Sequence, residues 1–265
     1  MKKVLLLGFI LILTLTLGVG CQQETTQEEA IKIGMELKYP PFETKDANGN
    51  PDGASVVLAN ALGEYLGREI EIVDTPYASL VPALEQGNID LIISSMTITP
   101  AREEVVDFSD PYTTSQLMML VYVDSKVMSP ADLNDPEVII ASKTGTIGAI
   151  WAEANAPLAQ IKNIDEEASA VLEVAQGKAD VFIYDPISII RHHENYPDTT
   201  RAVLEPLPNT KGWGIAMRKG EDELKAQINE FIAKAKTDGT YDQIRETYLK
   251  DKMQEFETYG LDFFF

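Results

Sequence analysis

From residue 31 onward the chain alternates short apolar runs with stretches whose apolar positions recur every three or four residues. Ile31–Met35 reads as a strand. Val57, Leu58, Leu62 and Leu66 predict a helix over 55–66 that Gly67 ends, and a strand follows at 69–73. Leu80, Val81 and Leu84 mark a helix that stops at Gly87, and 89–94 is a buried strand, apolar except at Asp90. This β-α-β-α-β order implies parallel strands with crossover helices. A second series follows: strands at 116–123, 138–142 and 180–184, and helices at 147–155, 168–176 and 186–193. Strands at 204–207 and 213–217 and closing helices at 221–236 and 241–249 complete the chain, Asp238 and Gly239 separating those two helices. Two α/β series suggest two lobes, with the extended stretches at 114–121 and 206–213 as cross-connections.

The first residues have a different character. Lys2 and Lys3 precede an apolar run from Val4 to Leu17, and Gly18, Val19 and Gly20 lead to Cys21. A basic start, an apolar run too short for a membrane span, and small residues describe an export signal over 1–20. Cys21 is the only cysteine of the 265 residues, which excludes an intrachain disulfide and a cysteine-built zinc site. Its place resembles the lipobox of bacterial lipoproteins, which makes Cys21 the expected lipidation site, although Leu17 lies one position further upstream than the usual aliphatic residue. The polar, acidic stretch 21–30 then serves as a flexible tether. The formal charge is −20, and removing the two signal lysines makes it −22, so the surface repels phosphate backbones and nucleic acid is not an expected partner.

The motifs appear in a fixed order: Tyr39-Pro40-Pro41-Phe42, the run from Ile92 to Arg102, Phe108-Ser109-Asp110-Pro111-Tyr112, Lys143-Thr144-Gly145-Thr146, Tyr184-Asp185, and Asp238-Gly239-Thr240-Tyr241. Over 31–249 the chain thereby resembles the family 3 extracellular solute-binding proteins, which deliver polar amino acids to ABC importers. The resemblance implies an α/β, two-lobed periplasmic-binding-protein-like fold, each lobe a mixed sheet flanked by helices, joined by two hinge strands. Lobe 1 is then 31–114 plus 212–258, lobe 2 is 115–211, and 259–265 is a tail. The sequence departs from the family where Ile147 replaces a second threonine and where Ala54-Ser55 replaces the common Phe-Asp.

Local chemistry and the resemblance can be weighed residue by residue. Thr99 is a suitable N-cap and Pro100 a suitable first helical residue, which sets Arg102 in a first turn, a poor place for a cation without an anion nearby. Its planar fork suits a carboxylate; locally, Glu103 or Glu104 is an equal candidate partner, and the resemblance assigns the ligand α-carboxylate. Ser94, Ser95 and Thr97 lie where a buried strand ends, either as turn and capping groups or, as the resemblance implies, as ligand contacts. Thr146 and Ile147 open a helix from a glycine turn and offer backbone donors from the second lobe. Asp185 before Pro186 is a standard N-cap; the resemblance makes it the acceptor for the ligand ammonium. Tyr39 and Tyr77 are core aromatics or, by resemblance, the faces that sandwich the ligand side chain. Glu36 either pairs with Lys38 or another surface lysine, or contacts the far end of a cationic side chain, which gives a weak lean to cationic ligands.

His192 and His193, the only histidines, are adjacent on a predicted helix and read as a solvated helix end, not a metal pair. No catalytic motif and no cofactor is indicated. The expected partners are an amino-acid ligand, ABC permease subunits and, through the lipid anchor, the membrane; the expected state is a monomer at the extracytoplasmic face. The alternatives are a cyclohexadienyl or arogenate dehydratase-like enzyme on the same scaffold, with Glu36 or Glu173 as general acid, and a sensor-type binding module. Phe263, Phe264 and Phe265 would be adhesive if exposed and are expected to dock on a lobe.

Overall fold

The computed structural model describes residues 29–114, 116–208 and 211–265. The export signal, Cys21 and most of the tether lie outside the described residues. The strands in chain order are β1 (Ile31–Met35), β2 (Thr44–Lys45), β3 (Pro51–Asp52), β4 (Ile70–Asp74), β5 (Leu91–Ile92), β6 (Val106–Phe108), β7 (Met118–Tyr122), β8 (Ile139–Lys143), β9 (Gln160–Ile164), β10 (Val181–Tyr184), β11 (Thr200–Val203) and β12 (Ala216–Arg218). They form two five-stranded mixed sheets, ordered β4-β1-β5-β12-β6 and β11-β7-β10-β8-β9, and the hairpin β2-β3. In the first sheet β1 is parallel to β4 and β5, and β12 runs antiparallel to β5 and β6. In the second, β8 is parallel to β9 and β10, and β7 is antiparallel to β10 and β11.

Helices cover both faces of each sheet because the strands are apolar on both sides. In β7, Met118 and Leu120 enter one apolar cluster with Val171, Phe182 and Ile189, while Met119 and Val121 enter another with Ile140, Trp151 and Val181. That split is the two-residue side-chain period of a strand. The helix Ala54–Leu66 buries Leu58 and Leu62 against β1 and against Phe231 of the helix Asp222–Ala235. Gly67 ends it with φ 67°, its backbone N–H donating to the Glu64 and Gly63 carbonyls.

Several elements differ from the sequence expectation. The expected strand at 204–207 is displaced to β11, since Pro206 and Pro208 lack the donors a ladder needs. The edge strand β9 was not expected, because Gln160, Lys162 and Asn163 dilute its apolar pattern, and β6 was missed because it is three residues long. Beyond residue 249 the helix Lys250–Thr258 continues the chain; among its residues only Phe256 is buried, too little to mark a period.

Two segments cross between the sheets, and they run side by side. Thr113 bridges Trp213, and the Leu207 backbone N–H donates to the Leu117 carbonyl at 2.8 Å. Gly212 is needed there, since a Cβ would collide with the Thr113 carbonyl oxygen. The C-terminal tail docks beside this crossing. The Thr113 hydroxyl donates to the Phe264 carbonyl, Phe264 meets Trp213 edge-on at 5.4 Å, and Phe265 stacks on Tyr241 at 5.1 Å. Deleting the Phe264 ring leaves a void among Phe42, Trp213 and Phe256, so Phe264→Ala should lower unfolding stability by about 3 kcal/mol. Denaturant titration measures this; a change below about 0.5 kcal/mol would show that the tail is a surface ornament.

Candidate functional site

A cleft with about 470 Å³ of empty space, open solvent included, lies where the carboxyl end of β1 and the loop after β5 face the ends of β8 and β10. Its walls include Glu36, Tyr39, Tyr77, Ser94, Ser95 and Thr97 from the side of the first sheet, and Thr146, Ile147 and Asp185 from the side of the second. Nine of the ten ligand residues expected from sequence therefore meet in one place. Arg102, the tenth, stands behind that wall. Its main-chain N–H donates to the Thr99 hydroxyl, as the capping pattern predicted, and its side chain is only 7% exposed. Its Nη1 donates to the Thr97 carbonyl at 2.5 Å; its Nη2 donates to the Gly145 carbonyl at 2.8 Å, across the cleft. Gly145 takes φ 74° to present that oxygen. Tyr77 stacks beneath the same guanidinium, 5.8 Å from its ring centre. Among the described residues no carboxylate lies within ion-pair distance of Arg102; Glu103 pairs instead with Lys211 at 3.1 Å.

The opposite wall carries the complementary charge. Asp185 caps the helix Pro186–Asn195 by accepting from the Ser188 N–H at 3.0 Å, so the cap reading holds for one of its oxygens. The other, Oδ2, is buried without a well-formed hydrogen bond; the equally buried Tyr39 hydroxyl lies near this carboxyl and favours its charged form. Burial, reinforced by the negative charge of Glu167, raises this carboxyl above its ordinary range. Thr97 Oγ1 is likewise buried and unpartnered on the cavity wall. Buried polar atoms without partners cost free energy, so both ask for a ligand group or water. The Thr146 hydroxyl donates to the Lys143 carbonyl at 2.7 Å, and its lone pairs remain to accept.

Glu36 departs from the reading as a partner of a surface lysine. Lys38 pairs with Glu166 at the surface, at 2.7 Å. Glu36 instead accepts from Lys143, a lysine only 4% exposed that reaches over from the end of β8, and the two form a buried ion pair between the two walls. Lys143 Nζ also lies 5.7 Å from the Tyr77 ring centre. His192 differs as well: it is buried, and its Nε2 lies 2.6 Å from Glu167, which also takes Arg191 at 2.7 Å. Only His193 stays at the rim, near the Thr200 hydroxyl. Glu173 pairs with Lys162 outside the cavity, which removes it as a candidate acid.

Sequence reasoning missed Glu43, Leu117, Tyr184 and Trp213 on the wall, and Lys143 beside it. Glu43 is 1% exposed. It accepts from the Ser55 hydroxyl at 2.5 Å and from the Ser95 hydroxyl at 2.8 and 3.0 Å. Burial pushes its carboxyl up to about 8, against the opposing effect of those two hydroxyls. Ser95 has φ 47°, the one non-glycine residue with positive φ among the described residues. That strained conformation lets its hydroxyl reach Glu43. The signal was present: Ser55 stands at a recognised departure from the family, and it is a partner of Glu43.

Residues 31–251 match the bacterial extracellular solute-binding proteins, family 3. The chain belongs to this family. It is 30% identical over 222 residues to a probable histidine-binding protein of Neisseria gonorrhoeae, covering 82% of each chain. Among solved structures it is similar to an ancestral arginine-binding protein bound to arginine, with a TM-score of 0.75, 30% identity, and 84% of this chain and 99% of that chain covered. It is also similar to the ancestral amino acid-binding protein AncCDT-1, a precursor of cyclohexadienyl dehydratase, with a TM-score of 0.71, 36% identity, and 83% and 95% covered. As a family 3 protein, the chain has the two-lobed fold expected from its motifs, and the family's extracellular character places it outside the cytoplasm.

Proposed function

We propose that this family 3 protein captures a polar L-amino acid between two lobes and delivers it to the permease of an ABC importer. The observation that supports this reading is a pair of complementary groups on opposite sides of one cavity, Arg102 just behind one wall and Asp185 on the other. Arg102 has a carboxylate-shaped fork and no carboxylate. Asp185 has a buried oxygen faced only by the Tyr39 hydroxyl, with no cation. An α-amino acid supplies both at the spacing of one carbon atom. In this reading Tyr39 and Tyr77 flank the side chain, Ser94, Ser95, Thr97, Thr146 and Ile147 complete the polar contacts, and Glu36 lies towards its far end. Lobe 1 is 31–114 with 212–258 and lobe 2 is 115–211; ligand contacts to both favour the closed arrangement, which the permease reads. Relatives and neighbours named for histidine and arginine make cationic side chains the first to test.

The same reading makes the protein an exported monomer held at the membrane by lipid on Cys21, with residues 1–20 removed. Among the described residues no helix is long and apolar enough to cross a membrane. Metabolic labelling with a lipid precursor should mark the wild type and not Cys21→Ala; equal labelling of both would remove the anchor from the account.

One observation favours a second reading, an enzyme of the dehydratase type: Glu43 is a buried acid on the cavity wall whose carboxyl is pushed up to about 8, as a general acid requires. AncCDT-1, to which the chain is similar, is an amino acid-binding protein and a precursor of that enzyme, so it stands between the two readings. Prolonged incubation with amino acids, prephenate and arogenate, followed by mass spectrometry, separates the two. Unchanged small molecules are the expected result, and turnover of any of them would establish the enzyme.

A further inference from the structure

We propose that Glu43 is the residue that adapts the cavity to the charge of the enclosed side chain: it keeps its proton around an uncharged polar amino acid and releases it to solvent when the side chain is a cation. The inference rests on the reading of the protein as an amino-acid-binding protein and extends it to a residue that reading did not require.

The cavity wall carries three acids, Glu36, Glu43 and Asp185. Two buried cations adjoin it, Lys143 and Arg102. Lys143 already pairs with Glu36, so the charge of that acid is compensated before a ligand arrives. Asp185 and Arg102 take the ammonium and carboxylate that every amino acid carries. Glu43 is then the acid left without a positive partner, and among the described residues no cation lies within ion-pair distance of it. A carboxylate this buried and unpaired stays protonated. Its two contacts are hydroxyls, which serve either state, since Ser55 and Ser95 donate to a carboxylate and can accept from a carboxylic acid. The other groups facing it agree with this assignment. Glu36 opposes its ionisation, Lys143 favours it weakly, and Tyr77 and Tyr112 are phenols that stay protonated beside it. An enclosed guanidinium or ammonium supplies the missing charge. The step balances: the Glu43 carboxylic acid and the cationic ligand become a carboxylate–cation pair, and one proton goes to the buffer.

Calorimetric titration of the mature protein with arginine, lysine and glutamine tests this, at pH 7 in two buffers of different ionisation enthalpy. Close to one proton should be released per arginine or lysine bound, and none per glutamine. Between pH 6 and 8 arginine affinity should rise by up to about tenfold per unit, levelling near the Glu43 value of about 8, while glutamine affinity stays flat. Glu43→Gln copies the protonated carboxyl in shape and hydrogen bonding. It should abolish the proton release and weaken arginine by about tenfold or more, while changing glutamine by less than about threefold. The proposal is overturned if wild type binds arginine or lysine without releasing a proton, if it binds glutamine but no cationic amino acid, or if Glu43→Gln weakens both ligand classes equally. Absence of heat with every amino acid would instead overturn the amino-acid-binding reading, and this proposal with it.

Discussion

Arg102→Ala should lower affinity for the cognate amino acid by roughly two to three decades, about 2–5 kcal/mol. The guanidinium sits in a site 7% exposed, where water cannot replace a lost hydrogen bond cheaply. Its Nη2 also bonds the Gly145 carbonyl across the cleft, so the substitution removes a contact between the lobes together with the carboxylate anchor. Arg102→Lys should recover only part of the loss, since an ammonium cannot hold the Thr97 and Gly145 carbonyls and both carboxylate oxygens at once. Titration of the three proteins with one ligand measures the effect, and thermal melts of the apo proteins give the control. Near wild-type affinity in Arg102→Ala would remove Arg102 from the site, and a collapsed melt would make it a structural residue.

The second large effect belongs to Lys143. Removing one partner of a buried ion pair costs on the order of 3–5 kcal/mol, because the remaining charge has no compensation. The pair with Glu36 bridges the two walls of the cleft, so that cost falls on the closed form and leaves each lobe folded. In Lys143→Met, glutamine affinity should fall by about two decades. Arginine and lysine bring a replacement cation for Glu36 and should lose less than about one decade, so the arginine-to-glutamine affinity ratio rises by at least about tenfold. Parallel titrations read that ratio. Equal losses for both ligands would mean that Glu36 never meets the ligand side chain.

Most of the architecture was legible because it is written in periods. Val57, Leu58, Leu62 and Leu66 marked one helix and Thr99-Pro100 the start of another, and both elements are present. The misses fall where local pattern carries little. Gln160–Ile164 is a strand because β8 offers it an edge, and Lys250–Thr258 is a helix that buries one aromatic residue. In the cavity, motifs placed six of the nine wall residues and family positions placed Glu36, Tyr77 and Ile147, but neither could reveal Lys143 or Glu43. Lysine in a glycine-turn motif and glutamate after Pro-Pro-Phe look like surface charges until the fold removes their water. Lys143 is 4% exposed because the opposite wall supplies Glu36, 107 residues away in sequence. Such pairs arise from tertiary closure, which leaves no mark on local spacing. His192 was misread for the same reason, since its partner Glu167 comes from a different helix.

One α-amino acid should fill the space between Arg102 and Asp185. Calorimetric titration of the mature protein against the twenty L-amino acids and the D-enantiomer of the tightest binder tests it most directly. The expected result is one site per chain, selectivity for polar side chains, and a large loss of affinity on inverting the α-carbon, which exchanges the groups offered to the two walls. Binding of none of the twenty, or equal binding of the two enantiomers, would contradict it.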